Sequence, residues 1–250
     1  MTLKGIIKII LCRAGIILSH LRFALFGKKT DGIKMIPIII NNYNRLTYMK
    51  KLISSLTERG YHNIYIIDNK STYKPLLDYY ETCPYPVFRL DENVGYMALW
   101  KTEIYKRFRN SYYVYTDSDM MIDEACPDDF MQKFVDVLNR FPMAQKAGFG
   151  IRIDDLPDHF KNKEKVIEHE SQFWIRSVGE DVYEAQIDTT FALYRPFCKG
   201  KADRYQKTYR TGGRYVIRHL PWYVDSSNLS EEERFYVDTI IRSTHWSQQA

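Results

Sequence analysis

The first 29 residues contain no acidic side chain, although Lys4, Lys8, Arg13, Arg22, Lys28 and Lys29 all stand there. Those six come out of 36 basic residues, so the rest of the chain sets 30 basic against 31 acidic side chains and is close to neutral. A neutral body argues against nucleic acid as a partner and moves attention to the N-terminus. Cysteine is sparse. Cys12, Cys83, Cys126 and Cys198 show no metal-like spacing, and a chain of 250 residues does not need disulfide staples. Four free thiols in a reducing compartment follow. Internal repeats and low-complexity tracts are also missing. What is present, 45% hydrophobic and 15% aromatic residues, gives a globular chain able to bury a sizeable core.

A clean apolar span of about 20 residues is lacking too, because Lys8, Arg13, His20 and Arg22 interrupt the run from residue 3 to 26. No small-residue cleavage site follows, which speaks against a secretory signal. Residues 1–30 therefore read as a basic amphipathic segment lying in the interface of an anionic membrane. The competing reading is an ordinary helix packed on the domain that fills residues 31–250.

From Ile36 onward, short apolar runs alternate with helical periodicity. Ile36-Pro37-Ile38-Ile39-Ile40 ends in Asn41-Asn42-Tyr43-Asn44-Arg45, and Leu46, Met49, Ile53 and Leu56 then mark a helix closed by Gly60. Ile64-Tyr65-Ile66-Ile67 ends in Asp68-Asn69-Lys70-Ser71-Thr72, followed by a helix from Pro75 to about Glu81. Val87-Phe88-Arg89-Leu90 ends in Asp91-Glu92-Asn93-Val94-Gly95, and a helix over 96–108 feeds Tyr112-Tyr113-Val114-Tyr115-Thr116. Such alternation predicts an α/β, Rossmann-like, mostly parallel sheet flanked by helices. Ligands of these sheets bind outside the carboxyl ends of the strands, where all the polar clusters fall.

The fourth strand ends in Asp117-Ser118-Asp119. Alternate side chains of an extended segment point the same way, so the two carboxylates can converge. Their repulsion is best relieved by a cation, and hard oxygen ligands suit Mg²⁺ or Mn²⁺ shared with substrate phosphates. The plainer reading is a solvated acidic turn.

Taken together, these clusters resemble family 2 type glycosyltransferases of the GT-A fold. Asn41-Asn42-Tyr43-Asn44-Arg45 resembles their opening Pro-Thr-Tyr-Asn-Arg, and Asp68-Asn69-Lys70-Ser71-Thr72 their Asp-Asn-Gly-Ser-Thr. Asn93-Val94-Gly95 resembles their Asn-x-Gly, and Asp117-Ser118-Asp119 their DxD metal motif. The resemblance covers roughly residues 35–125 and implies a UDP- or GDP-sugar donor. It implies that Asn42, Tyr43, Asn44, Arg45, Asp68, Asn93, Gly95, Asp117 and Ser118 hold the donor. It further implies that Asp117 and Asp119 hold a divalent ion. One departure stands out: Asn41 replaces the usual Pro.

In the second half, residues 31–125 being the nucleotide-sugar half and 126–250 the acceptor half, a helix carries Phe130, Phe134, Val137, Leu138 and Phe141, and Ala147–Ile151 reads as a strand. The charged stretch 154–172, with His159 and His169, reads as a mobile loop or helix over the site. Val182–Tyr194 reads as a strand pair or one long strand carrying Asp188, and a lone carboxylate on an apolar strand is costly to bury without a task. Asp188 is the candidate for contacting the acceptor hydroxyl, as general base if the reaction inverts configuration and as a residue orienting the acceptor or supporting the sugar if it retains it, ahead of the more exposed Glu180, Asp181 and Glu184. Its structural alternative is an ion pair with Arg195 or Arg218. Arg210-Thr211-Gly212-Gly213-Arg214 reads as a flexible basic turn, with Arg210, Arg214 and Arg218 as phosphate partners or surface charge. His219 is either a histidine satisfied by backbone or the imidazole that many GT-A enzymes add to the metal. Ser230-Glu231-Glu232-Glu233 forms a capping box opening the last helix.

The expected activity is hexosyl or N-acetylhexosaminyl transfer to a hydroxyl of a glycan or lipid-linked glycan in polysaccharide biosynthesis. The expected location is cytoplasmic, on the inner face of the cell membrane. A nucleotidyltransferase would need a glycine-rich phosphate loop after the first strand, and residues 41–45 contain no glycine. A non-catalytic sugar-binding protein would not need the paired carboxylates.

Overall fold

The computed structural model describes residues 2–200 and 205–240; residue 1 and residues 201–204 and 241–250, the latter two within the expected acceptor half, lie outside the described residues. Thr2 opens the first helix, α1 (Leu3–Phe26), its hydroxyl accepting from the Gly5 N–H. By length and composition α1 suffices to cross a membrane, which the interrupted apolar run did not suggest. It nevertheless packs along one side. Gly5, Ile9, Cys12, Ile16, Ser19 and Phe23 recur at steps of four and three and are buried or half-buried, whereas Leu3, Ile7, Ile10, Ile17, Leu21 and Leu25 on the opposite side are exposed. The contacts are specific. His20 Nε2 lies 2.9 Å from the Pro142 carbonyl, Ser19 Oγ meets Cys198 Sγ at 3.6 Å, and Phe23 meets the Tyr112 ring edge-on.

The sheet starts from β1 (Ile38–Asn42), buried at all five positions. Successive side chains of a strand point to opposite faces, so Ile38 and Ile40 enter one core with Met49, Leu52 and Leu56. Ile39 enters the other, with Ile67, Tyr113 and Tyr115. Helices cover both faces, which explains the unbroken apolar runs. After β1 comes α2 (Thr47–Thr57), then β2 (Ile64–Asp68), α3 (Lys74–Tyr80) and β3 (Val87–Arg89). Two short helices follow in place of the single one expected over 96–108: α4 (Ala98–Lys101) and α5 (Tyr105–Phe108). Thr102 is extended at the break and turns its hydroxyl back to the Ala98 carbonyl. The strand β4 (Tyr113–Asp117) then pairs parallel to β1, which pairs parallel to β2, and β2 to β3.

A tight turn leads to β5 (Met120–Ile122), and α6 (Phe130–Arg140) lays Phe130, Phe134, Val137 and Leu138 into the core beneath β6 (Ala144–Ile151). The charged stretch forms α7 (Lys163–Ser171), followed by β7 (Ser177–Gly179), β8 (Val182–Glu184), β9 (Ala192–Tyr194), β10 (Lys207–His219) and α8 (Glu231–Thr239). Strand order is β3-β2-β1-β4-β9-β6-β10-β8-β7, with β5 pairing the far end of β10. Only β9, β8 and β5 run against the other strands. The architecture is thus the mostly parallel, helix-flanked α/β sheet expected, with an N-terminal helix added.

Two expectations of the second half need correction. Asp188 is not on a strand: residues 185–191 form a loop between β8 and β9, and its side chain is exposed, free of the burial cost inferred for it. Nor is Arg210–Arg214 a flexible turn. It lies within β10, where pairing to β6 shifts between Thr211 and Val216 as the chain bulges at Gly212 and Gly213, the latter at φ +59°.

Candidate active site

The carboxyl ends of β1, β2 and β4 open into a cleft of about 1030 Å³ that also takes residues from β6, the β8–β9 loop, β10 and α8. Asp117 ends β4, and its Oδ2 accepts from the Thr189 hydroxyl at 2.5 Å. Burial pushes its pKa up, and the neighbouring Asp119 adds to this. Asp119 sits in the turn before β5. That strand pairs with β10 so that Met120 opposes His219, and His219 Nε2 consequently lies 3.4 Å from Asp119 Oδ2. Burial works against the Asp119 charge, but His219 and Arg45 outweigh it and draw its pKa down to about 2.

Arg45 follows β1 and lies between Asp119 Oδ2 (3.9 Å) and Glu233 Oε1 of α8 (3.3 Å), its guanidinium stacked 3.7 Å over Tyr236. It stays charged: burial opposes this, and Asp119, Tyr236 and Glu233 overcome the opposition. Four buried polar atoms here lack a hydrogen-bond partner: Asp119 Oδ1, His219 Nδ1, and Nε and Nη1 of Arg45. A buried carboxylate oxygen without a partner, close to a guanidinium, suits a divalent ion with a phosphate group, since Mg²⁺ and Mn²⁺ take few protein ligands and complete their shells with water and phosphate. Among the described residues, no three acidic, His or Cys side chains form a ready-made cage. The structure brings Asp119 and His219 together and leaves Asp117 tied to Thr189.

Asn41, the departure from Pro, reaches Asp117 with its amide (3.5 Å) and connects through its oxygen to Asn69. Asn69 in turn accepts from Val94 N–H (2.8 Å) and donates to the Gly95 carbonyl (2.9 Å), holding the loop at 93–95 against the cleft. Asn93 Oδ1 accepts from Gly95 N–H, and Gly95 adopts φ +80°, which favours glycine. Tyr43, Arg45, Asn93, Gly95, Asp117, Ser118, Asp119, Asp188 and His219 all line the cleft.

Asn42, Asn44 and Asp68 do not line it. Asn42 donates to Tyr80 Oη, and Asn44 accepts from Thr72 and Tyr73 N–H at the start of α3 while donating to Thr239 Oγ1. Asp68 is 1% exposed, accepts from Ser71 N–H and Tyr80 Oη, and lies 3.7 Å from Arg89. These three shape the turns on which the lining residues stand.

On the opposite wall, Lys146 of β6 donates to the Asp188 carbonyl and to Tyr194 Oη, each at 2.9 Å. Burial pulls its pKa down to about 7, against the attraction of Asp188. Arg210 lines the cleft, pinned by Glu170 of α7 (2.6 Å) and the Gln186 carbonyl (2.6 Å). Neither arginine offered as a partner for Asp188 takes that role. Arg195 spends its guanidinium on the Leu138, Phe141 and Ala144 carbonyls, and Arg218 pairs with Asp123 and Asp155. The other acids have partners of their own: Glu180 pairs with Arg140, and Glu184 with Arg176 and Lys207. Arg214 is exposed outside the cleft. Sequence reasoning did not single out Lys146, Thr189 or Tyr236. Of these only Lys146 left a signal, as a lone cation within the otherwise uncharged strand Ala144–Ile151.

Neither a protein-family model nor a curated protein sequence matches the chain. Solved structures similar to it include the crystal structure of GalNAc-T7 with UDP, GalNAc and Mn2+. That likeness has 13% identity, covers 74% of this chain and 43% of that one, and has a TM-score of 0.49. Also similar are the crystal structure of S. aureus TarS (16% identity, 64% of this chain and 28% of that one, TM-score 0.38) and that of its residues 1–349 (14%, 64% and 47%, TM-score 0.37). The chain spans less than half the length of each of these structures.

Proposed function

We propose that the chain is a divalent-metal-dependent glycosyltransferase moving a hexosyl or N-acetylhexosaminyl group from a UDP- or GDP-sugar to a glycan hydroxyl. The observation that carries this reading is the cluster at the strand ends: the buried Asp119 carboxylate, one of its oxygens without a hydrogen-bond partner, lies 3.4 Å from His219 Nε2 and 3.9 Å from the Arg45 guanidinium. On this proposal Asp117, Asp119 and His219 would hold Mn²⁺ or Mg²⁺, which when bound acts as a Lewis acid toward the departing diphosphate. Arg45, whose Nε–H has no hydrogen-bond partner, would pair with the diphosphate, a group whose geometry suits guanidinium. Asn41, Asn69 and the 93–95 loop form the floor on which the nucleoside lies. Asp188, exposed in the cleft, takes the proton from the acceptor hydroxyl as the hydroxyl oxygen attacks the anomeric carbon and the sugar–phosphate bond breaks. Lys146 fixes the backbone of that loop by holding the Asp188 carbonyl. The same proposal places the protein on the cytoplasmic face of the cell membrane, in polysaccharide biosynthesis.

The test is incubation with a panel of UDP- and GDP-sugars and Mn²⁺, reading nucleoside diphosphate release. Release dependent on metal and on one sugar supports the reading. Saturable binding with no release points to a sugar-binding protein, and pyrophosphate released from a nucleoside triphosphate and a sugar phosphate points to nucleotidyl transfer; either overturns it.

A further inference from the structure

The two stripes of α1 give this helix two partners. One stripe, from Gly5 to Phe23, is committed to the body, through Pro142, Tyr112 and Cys198 and through the Lys28 N–H bonded to the Asn110 carbonyl. The other, with Leu3 and Leu25 each 74% exposed, is covered by nothing among the described residues. At 100° per residue, Lys4, Lys8 and Arg22 border the exposed stripe on one side, and Arg13 and His20 on the other. Six cations without one acid across residues 1–29 complement a surface of negative charge, and an apolar stripe between them complements acyl chains. We propose that α1 seats the protein flat on an anionic lipid bilayer, and that the cleft then opens away from that bilayer.

The second half of this statement follows from where α1 docks. Asn110 and Tyr112 precede β4, Pro142 precedes β6, and Cys198 follows β9, which runs against both. All therefore lie at the ends of these strands opposite Asp117. Asp117 stands five residues beyond Tyr112, on the order of 17 Å along the strand. The diameter of α1 adds roughly 10 Å. A hydroxyl on a short headgroup in that bilayer does not reach the cleft, whereas a soluble glycan, or the far end of an extended one, does. This part rests on the glycosyl-transfer reading; the docking does not.

The full chain should float with vesicles of phosphatidylglycerol and phosphatidylcholine but not with phosphatidylcholine alone, and alkaline carbonate should release it. Ile10→Glu with Leu21→Glu should abolish flotation. Lys4→Gln with Arg13→Gln should lower partitioning roughly twenty-five-fold, at about a factor of five per charge. Both sets should leave the melting temperature and any donor turnover in solution unchanged. A fluorophore at Leu21→Cys, in a Cys12→Ser, Cys83→Ser background, should be quenched by nitroxide-labelled lipid. One at Tyr96→Cys, exposed at the cleft rim, should not. Equal binding to neutral vesicles, resistance to carbonate (a spanning helix), quenching at both probes, or vesicle-independent dimers lost in the Glu variants (a second copy as the occupant) would each overturn the proposal. With vesicle-bound protein, transfer to a soluble glycan but not to a one-sugar lipid supports the acceptor class, and the reverse preference overturns it. Absence of all donor turnover counts against the transfer reading, while flotation and quenching still decide the docking.

Discussion

The Arg45 guanidinium lies 3.3 Å from the Glu233 carboxylate, joining a turn near the start of the chain to the C-terminal helix. Glu232 beside it accepts from the N–H and the hydroxyl of Thr47 at the start of α2. Ser230 caps α8 as expected, its hydroxyl accepting from Glu233 N–H, but the Glu233 side chain turns to Arg45 instead of closing the capping box. The helix thus gives up part of its own cap to hold a cation in the cleft.

Asp119→Asn should abolish divalent-dependent donor binding while leaving the fold intact at neutral pH. The substitution removes a rim carboxylate with an unspent oxygen, and no apolar contact is lost. Because the folded pKa of Asp119 is depressed, its stabilising contribution is present above the usual carboxylate range and fades as pH falls from about 4 toward about 2. Calorimetric titration of a nucleoside diphosphate with and without Mn²⁺ measures the first effect. Undiminished Mn²⁺-dependent binding in the variant would remove Asp119 from the metal site.

Asp188→Asn should cut glycosyl transfer by roughly two to four orders of magnitude with donor affinity kept. The side chain is exposed in the cleft and its ion-pair candidates are engaged elsewhere, so little stability should change. Transfer within a few-fold of the unaltered protein would sink the base assignment.

Lys146→Met tests the buried amine. With the folded pKa down at about 7 and the unfolded value near 10.5, the unfolded chain holds the extra proton between these limits, so stability rises with pH across that window. The penalty on the folded lysine is complete below pH 7 and gone above 10.5. The melting-temperature difference, variant minus wild type, should therefore decrease from pH 7 to 10. A difference that does not change with pH would show that the ammonium is not penalised by its surroundings.

Glu170→Ala should destabilise by about 3–5 kcal/mol, because Arg210 remains buried and charged without its partner. The double change Glu170→Met with Arg210→Met should cost clearly less. Urea unfolding of both variants measures this, and equal losses would mean that the pair does not act as a unit.

The first half of the fold was legible because β1, β2 and β4 are covered on both faces and so write themselves as unbroken apolar runs that stop at the rim. Their polar ends marked the cleft, yet sequence could not separate Asn42, Asn44 and Asp68, which turn inward to brace α3, from Asn41 and Asn69, which face the cavity. That choice is made by tertiary contacts such as Asn44 with Thr239. The segment around Asp188 misled because Phe191-Ala192-Leu193 and Val182 are strand-like, while in the loop between them the Asp188 carbonyl is held by Lys146, a residue of β6. Gly212-Gly213 signalled a turn and proved to be a bulge, a distinction that depends on β6 lying alongside. The approach of His219 to Asp119 was not legible, since it depends on the register of β5 on β10.

The bonds from Thr47, Asn44 and Tyr43 to α8 also bear on synthesis on the ribosome. A nascent chain that has emerged only as far as β9 already holds β1 to β4 and the Asp117–Asp119 turn, but neither His219 nor Glu233. Its two rim carboxylates then face each other with no imidazole beside them, and the Arg45 cation has only one of its two counter-charges. Contacts spanning more than 180 residues form slowly because the chain must first pay for closing so long a loop. Any affinity of the cleft for a ligand should therefore arrive late and all at once during translation.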